Sequence, residues 1–93
     1  MEEKPVSSQV EKKIGAVEHY FGKIGVAAIK ITDDTLNVGD TIHFKGHTTD
    51  FTQTIESMQI NTQPIQTAKA GDDIGLKVKE HVRVKDDVFK VIA

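Results

Sequence analysis

The sequence predicts an all-β chain folded into one small, closed, antiparallel barrel of Greek-key-like form. Three observations lead there. Apolar residues alternate with polar ones in short runs, and no segment holds a 3.6-residue apolar period over ten residues. Turn signals recur at intervals of roughly 8–12 residues, the spacing of sandwiches and barrels. The chain has 93 residues, with four Phe, one Tyr and no Trp. One core of Ile, Val, Leu and Ala therefore has to serve the whole domain. Closure is the economical solution at this size because it removes free strand edges.

The elements follow in order. Met1–Val10 is polar, contains Pro5 and has no period, so it reads as a mobile tail ahead of a single domain spanning 11–93. From Lys12, Ile14 and Ala16 alternate into a first strand reaching Tyr20. Gly22-Lys23-Ile24-Gly25 marks a turn or bulged break. Val26 to Ile31 is a β-branched second strand, and Thr32-Asp33-Asp34-Thr35 a polar turn. Leu36 and Val38 lead into Gly39-Asp40, where a left-handed Gly swings the chain round into the strand Thr41–Lys45. Phe51 to Ile60 is a long β-leaning run whose phase slips between Ile55 and Met58, the mark of a bulge or bend. The Thr-rich stretch Thr48–Thr54 reads as β-propensity on a polar outer face. Pro64 limits Asn61–Gln66 to a loop or short edge segment. After the Ala70–Asp73 turn, Ile74, Leu76 and Val78 form the cleanest alternation. Val82 and Val84 form a last alternating pair before the Lys85-Asp86-Asp87 turn, and Val88–Val91 closes the domain.

Composition excludes several classes of function. With no cysteine there is no disulfide framework, thiolate metal site or Cys nucleophile, which fits a reducing, cytoplasmic interior. No apolar run approaches a membrane span, and no cationic segment with an apolar core opens the chain as a secretory signal. No G-x-x-x-x-G-K-[ST] is present, so no nucleotide-binding loop is expected. His43 and His47 are four apart, which converges on a helix but not on a strand, and His19 and His81 stand alone; hydrogen-bonded or solvated histidine is the expectation, not metal. The pairs Asp33-Asp34, Asp72-Asp73 and Asp86-Asp87 fall at turns, where carboxylates are solvated rather than tuned for acid–base work. Neither enzymatic activity nor a cofactor is therefore expected. The remaining candidates are cations: Lys77 and Lys79 on one strand face, Lys12 and Lys13 opening the barrel, and Arg83 and Lys85 near its end. Converging, they would make a stripe for RNA phosphates or a partner; apart, they solvate strand faces. The formal net charge of −2 lacks the basic balance of an autonomous nucleic-acid binder.

Two phrases carry a family resemblance. Asp34–Gly46 (DTLNVGDTIHFKG) and Thr67–Val78 (TAKAGDDIGLKV) resemble domain II of translational GTPases such as elongation factor Tu, each Gly-Asp reversal feeding an alternating strand. That resemblance implies a domain II barrel and a partner in RNA, the ribosome or the translation apparatus. In elongation factor Tu a Glu and an Arg hold the terminal adenosine of aminoacyl-tRNA; Gln59 and Thr62 stand in their places and supply no charge-assisted bond. The stretch Gly46–Lys79, with FTQTIESM, Pro64-Ile65 and Ile74-x-Leu76-Lys77-Val78, is similar to the C-terminal barrel of the collagenase-like peptidase family. This second resemblance implies an accessory module docking on a separately encoded enzyme.

Overall fold

The computed structural model describes residues 10–92. The expected tail, except Val10, and the final residue lie outside them. Ten strands and no helix make up the described chain: β1 (Glu11–Phe21), β2 (Val26–Ile31), β3 (Thr35–Asn37), β4 (Thr41–Lys45), β5 (Asp50–Thr54), β6 (Met58–Ile60), β7 (Gln63–Ile65), β8 (Thr67–Lys69), β9 (Asp73–Lys77) and β10 (Asp87–Val91). Eight form one antiparallel sheet ordered β5-β4-β10-β1-β2-β9-β6-β7, and β3 pairs with β8. The last strand is thereby wedged between β4 and the first.

Bulges give this sheet its curl. β1 slips register against β10 between Lys13 and Gly15, and against β2 between Val17 and His19. Each extra residue bends the strand and raises its twist. At the first bulge Gly15 lies so close to β2 that a Cβ would sit 2.2 Å from the Lys30 carbonyl oxygen. The sheet wraps a core of Ile14, Val17, Ile29, Ile31, Leu36, Ile42, Phe44, Ile55, Leu76, Val82 and Val88, all 2% exposed or less. Phe44 is the one large aromatic buried outright, and Phe51 stacks on it at 5.1 Å.

Closure differs from the expectation. The backbone ladder is open, with β5 and β7 at its ends. A side chain spans the gap instead. Gln53 on β5 donates from Nε2 to the Lys77 carbonyl (2.8 Å), and its Oε1 accepts the Lys79 N–H (2.9 Å). One amide side chain thus replaces a pair of ladder bonds between β5 and the end of β9. Gln53 is 6% exposed and Thr49 5%, so the polar outer face read over Thr48–Thr54 holds for Thr48, Thr52 and Thr54 and fails at these two.

Other differences have local causes. The long run Phe51–Ile60 is two strands separated by an irregular Ile55–Ser57 segment, at the expected slip. Pro64 does sit on an edge strand, β7, reached by a two-residue turn in which Asn61 (φ 51°) and Thr62 (φ 64°) are both left-handed. β8 was not expected; it pairs with the short β3. Val82 and Val84 do not share a strand face: Val82 is fully buried and Val84 is 54% exposed, because the chain turns between them.

That turn belongs to a set of three. In Asn37-Val38-Gly39-Asp40, Lys69-Ala70-Gly71-Asp72 and Arg83-Val84-Lys85-Asp86, the Asp N–H donates to the carbonyl three residues back (3.0 Å in each). The Asp carboxylate in turn accepts that residue's N–H (2.9 Å in each). The third residue has φ of 99°, 98° and 77° respectively, the type II signature. Two turns place Gly there and the third places Lys85. A left-handed non-glycine costs about 1–2 kcal/mol, partly offset by the lower chain entropy a glycine would forfeit. Lys85→Gly is therefore expected to stabilise the domain by about 0.5–1 kcal/mol, raising Tm by about 2–6 °C in a thermal melt. A lowered Tm would mean that Lys85 makes compensating contacts.

Candidate functional site

The six cations singled out in the sequence separate into three places. Lys12 faces Asp33 (3.7 Å) and Asp34 (3.6 Å) at the β2–β3 turn. The Thr35 N–H, which donates to Asp34, holds that carboxyl below its ordinary value, and Lys12 helps. Lys77 and Lys79 flank the Gln53 seam. They lie near the opposite end of β1 from Lys12, because Lys77 pairs with Val26 and Val26 with Phe21. The nine residues from Lys12 to Phe21 span about 30 Å at strand rise, so no single stripe forms.

The third place is a groove of about 660 Å³ between the loop after β4 and the third Asp turn, lined by Lys45, Gly46, His47, Val84, Lys85, Asp86, Asp87 and Phe89. Of the six cations only Lys85 lines it, and Lys13 and Arg83 reach its walls by one contact each. Lys13 pairs with Asp87 at 3.0 Å. Arg83 Nε donates to Thr48 Oγ1 (2.9 Å), tying the two walls together. Asp86 is buried, and its carboxylate lies where a Cβ on Gly46 would be, so the bare glycine lets the loop close over it. Lys45 was not among the candidate cations and His47 was weighed only as a metal ligand, because only pairing β4 with β10 carries them to Lys85.

Beside the groove stands a charge cage equally invisible to sequence reasoning. His43 Nδ1 lies 2.9 and 3.0 Å from the two Glu11 carboxylate oxygens, and Nε2 contacts Asp50 Oδ1. Both ring nitrogens face anions, so both carry protons when both bonds are made, and the ring is cationic. Burial opposes that charge, but the Asp50 and Glu11 bonds outweigh it and raise the His43 pKa above its ordinary 6.5. The same bond from His43 lowers Asp50. The cage links β1, β4 and β5 across β10, where the Phe89 ring lies 6.3 Å from His43.

The sign of the pH effect follows. The His43 contribution is complete below the unfolded value near 6.5 and is lost as pH rises through the higher folded value. Asp50's contribution is present above 3.8 and is lost as pH falls through its lower folded value. Urea stability is thus expected to decline as pH rises above 6.5, and His43→Gln to flatten that decline. An unchanged profile in His43→Gln would show that the cage does not act.

A third feature is a cleft of about 370 Å³ between the β6–β7 hairpin and β9, lined by Gln59, Thr62, Pro64, Gly75 and Lys77 among others. Among the described residues no three His, Asp or Glu side chains converge as metal ligands, and no helix is long and apolar enough to cross a membrane.

Comparison with known proteins bears on this architecture. Two crystal structures of the C-terminal domain of a Geobacillus thermoleovorans protein described as a U32 peptidase superpose with TM-scores of 0.78 and 0.79 at 22% and 23% identity. The matches cover 83% and 85% of this chain and 96% and 91% of those domains. The chain shares that domain's fold. In sequence it is 38% identical over 78 residues to an uncharacterised protease of Methanocaldococcus jannaschii, and 33% identical over 78 residues to collagenase of Porphyromonas gingivalis. These alignments cover 83% of the chain but 19% and 22% of the relatives, so the chain spans about a fifth of their length. No protein-family model matches it. All these relatives fall on the second of the two sequence resemblances, the collagenase-like one.

Proposed function

We propose that this chain is a non-catalytic accessory domain of the collagenase-like peptidase type, working by docking on a larger enzyme portion. The observation that supports this most is the pairing of 38% and 33% identity with proteases over 78 residues with coverage of only about a fifth of their length. A part that small and that separable, whose fold stands alone in crystals as a C-terminal domain, serves the whole by association. In this reading Lys85, which lines the groove, and Lys13, bonded to its Asp87, contact a protein. The two Gly-Asp turns and the Gln53 seam support reading the curled sheet as a barrel of the domain II type.

Affinity capture of the tagged chain from cells that make it tests the proposal. Recovery of an equimolar protein resembling the portion of the collagenase relatives outside the matched 78 residues is the expected result. Recovery of ribosomes or RNA instead would restore the elongation-factor reading, and recovery of neither would sink both.

A further inference from the structure

We propose that the groove between the Lys45–Thr49 loop and the Arg83–Asp87 turn receives an acidic segment of a partner protein, with one apolar side chain seated against Val84 and Phe89. The inference rests on the docking reading above and names the surface and the chemistry of what it takes.

Charge is the first support. Lys45 and Lys85 are exposed in its lining and His47 lies with them. The carboxylates of the lining are already committed. Asp86 is buried and accepts the Arg83 N–H, and Asp87 is paired with Lys13. Neighbouring Asp50 is held by His43. Among the described residues neither Lys45 nor Lys85 has a carboxylate within 4 Å, although Lys45 lies across the strand pair from Asp50 and its charge helps to lower that carboxyl. The lining balances, Lys45 and Lys85 against Asp86 and Asp87, but its carboxylates are bonded within the domain while its two ammoniums are open, so an incoming carboxylate meets these cations first and they fix its register.

Apolar surface is the second. Val84 is 54% exposed and Phe89 half-buried along the same groove. Its volume of about 660 Å³ is within the range of built ligand clefts, roughly 300–1,000 Å³. A cationic rim over an apolar floor discriminates between partners. A bare anion leaves the floor wet. An oligonucleotide needs open aromatic platforms for successive bases, and the lining offers only the half-buried Phe89 and the His47 imidazole. A peptide with carboxylates around an aliphatic side chain satisfies both parts.

Lys85 is the third. It occupies the position that the two sister turns give to Gly, at φ 77°. The strain holds a cation at the mouth of the groove, and strained backbone of this kind gathers at functional positions.

The test is an amide-shift titration of the full chain with three probes at low and moderate salt: a short Glu-rich peptide with a central Leu, the same peptide with Lys for Glu, and an oligouridylate. The acidic peptide is expected to shift Lys45–His47 and Val84–Phe89 and to bind more tightly at low salt. Lys85→Gly, which keeps or improves stability, and Lys45→Ala are each expected to weaken binding about threefold to tenfold, while Lys23→Ala at the β1–β2 turn leaves it unchanged. Absence of groove shifts, equal response to the Lys peptide, preferential binding of oligouridylate, or unchanged affinity in Lys85→Gly would each overturn the proposal. If the acidic peptide binds here but no enzyme portion is captured from cells, the accessory-domain reading fails and the groove stands. If the enzyme portion is captured equally by wild type and Lys85→Gly, the groove fails alone.

Discussion

Gly15→Ala is expected to destabilise the domain by about 3 kcal/mol or more, enough to remove a large share of the roughly 5–15 kcal/mol that holds a domain of this kind. The added Cβ would stand 2.2 Å from the Lys30 carbonyl oxygen, 3.2 Å from its carbon and 3.3 Å from the Ile31 Cα. All three are backbone atoms, and the strand they belong to cannot retreat. Gly15 pairs with Ile31 and Ala16 with Lys30 on one side of β1, and β2 is held from the other side by β9 through Ile29–Ile74 and Lys30–Asp73. Relief therefore requires the β1 bulge itself to open. That bulge delivers Ile14, fully buried, into the core, and the Ile14 carbonyl accepts the Thr32 N–H at 2.7 Å. Equilibrium urea unfolding compared with wild type measures the effect. Gly39→Ala is the matched control: nothing lies within 4 Å of its new Cβ, so its loss is confined to backbone strain of about 1–2 kcal/mol. Gly15→Ala losing no more than Gly39→Ala would show that β2 shifts freely.

What the sequence made legible follows from how locally each feature is encoded. Strand alternation needs only neighbours, so Val26–Ile31, Thr41–Lys45 and Ile74–Leu76 were readable, as was the slip at Ile55–Met58. The Gly39-Asp40 and Gly71-Asp72 turns announced themselves because Gly-Asp is an explicit signal. The third turn was expected at Lys85-Asp86-Asp87 and begins two residues earlier, at Arg83; its kinship with the other two was masked because Lys85 replaces the glycine and the Val82–Val84 alternation invited a strand. Long-range pairing was beyond reach. Nothing in the spacing of Glu11, His43 and Asp50 reveals that β10 inserts between β1 and β4 and so gathers them on one face. The cations scatter for the same reason: Lys12 and Lys77 lie near opposite ends of β1 and its neighbours, while Lys13 reaches Asp87 because β10 returns beside β1.

Gln53 was misread most instructively, and removing it carries the second large effect. Flanked by Thr52 and Thr54, it looks like one more solvated polar residue, yet it is the bridge over the open edge of the sheet. Gln53→Ala is expected to cost about 1–3 kcal/mol, since it removes the bonds to the Lys77 carbonyl and the Lys79 N–H together. Gln53→Glu separates hydrogen bonding from shape. The carboxylate still accepts the Lys79 N–H, but its second oxygen then faces the Lys77 carbonyl, oxygen against oxygen. Protonation restores a donor in the same place, so the folded state raises the pKa of the new Glu. A raised folded value means that the folded state binds the proton more readily, and the deficit of Gln53→Glu relative to wild type shrinks as pH falls toward and below the ordinary value near 4.3. Urea unfolding of both proteins at neutral and acid pH gives the comparison. Hydrogen exchange at the Lys79 amide reports the seam directly, fast in Gln53→Ala and slow in wild type. A Gln53→Ala variant within about 0.5 kcal/mol of wild type, or a Gln53→Glu deficit that does not change with pH, would mean that the seam is closed by the packing of Ile55, Leu76 and Val78 rather than by this side chain.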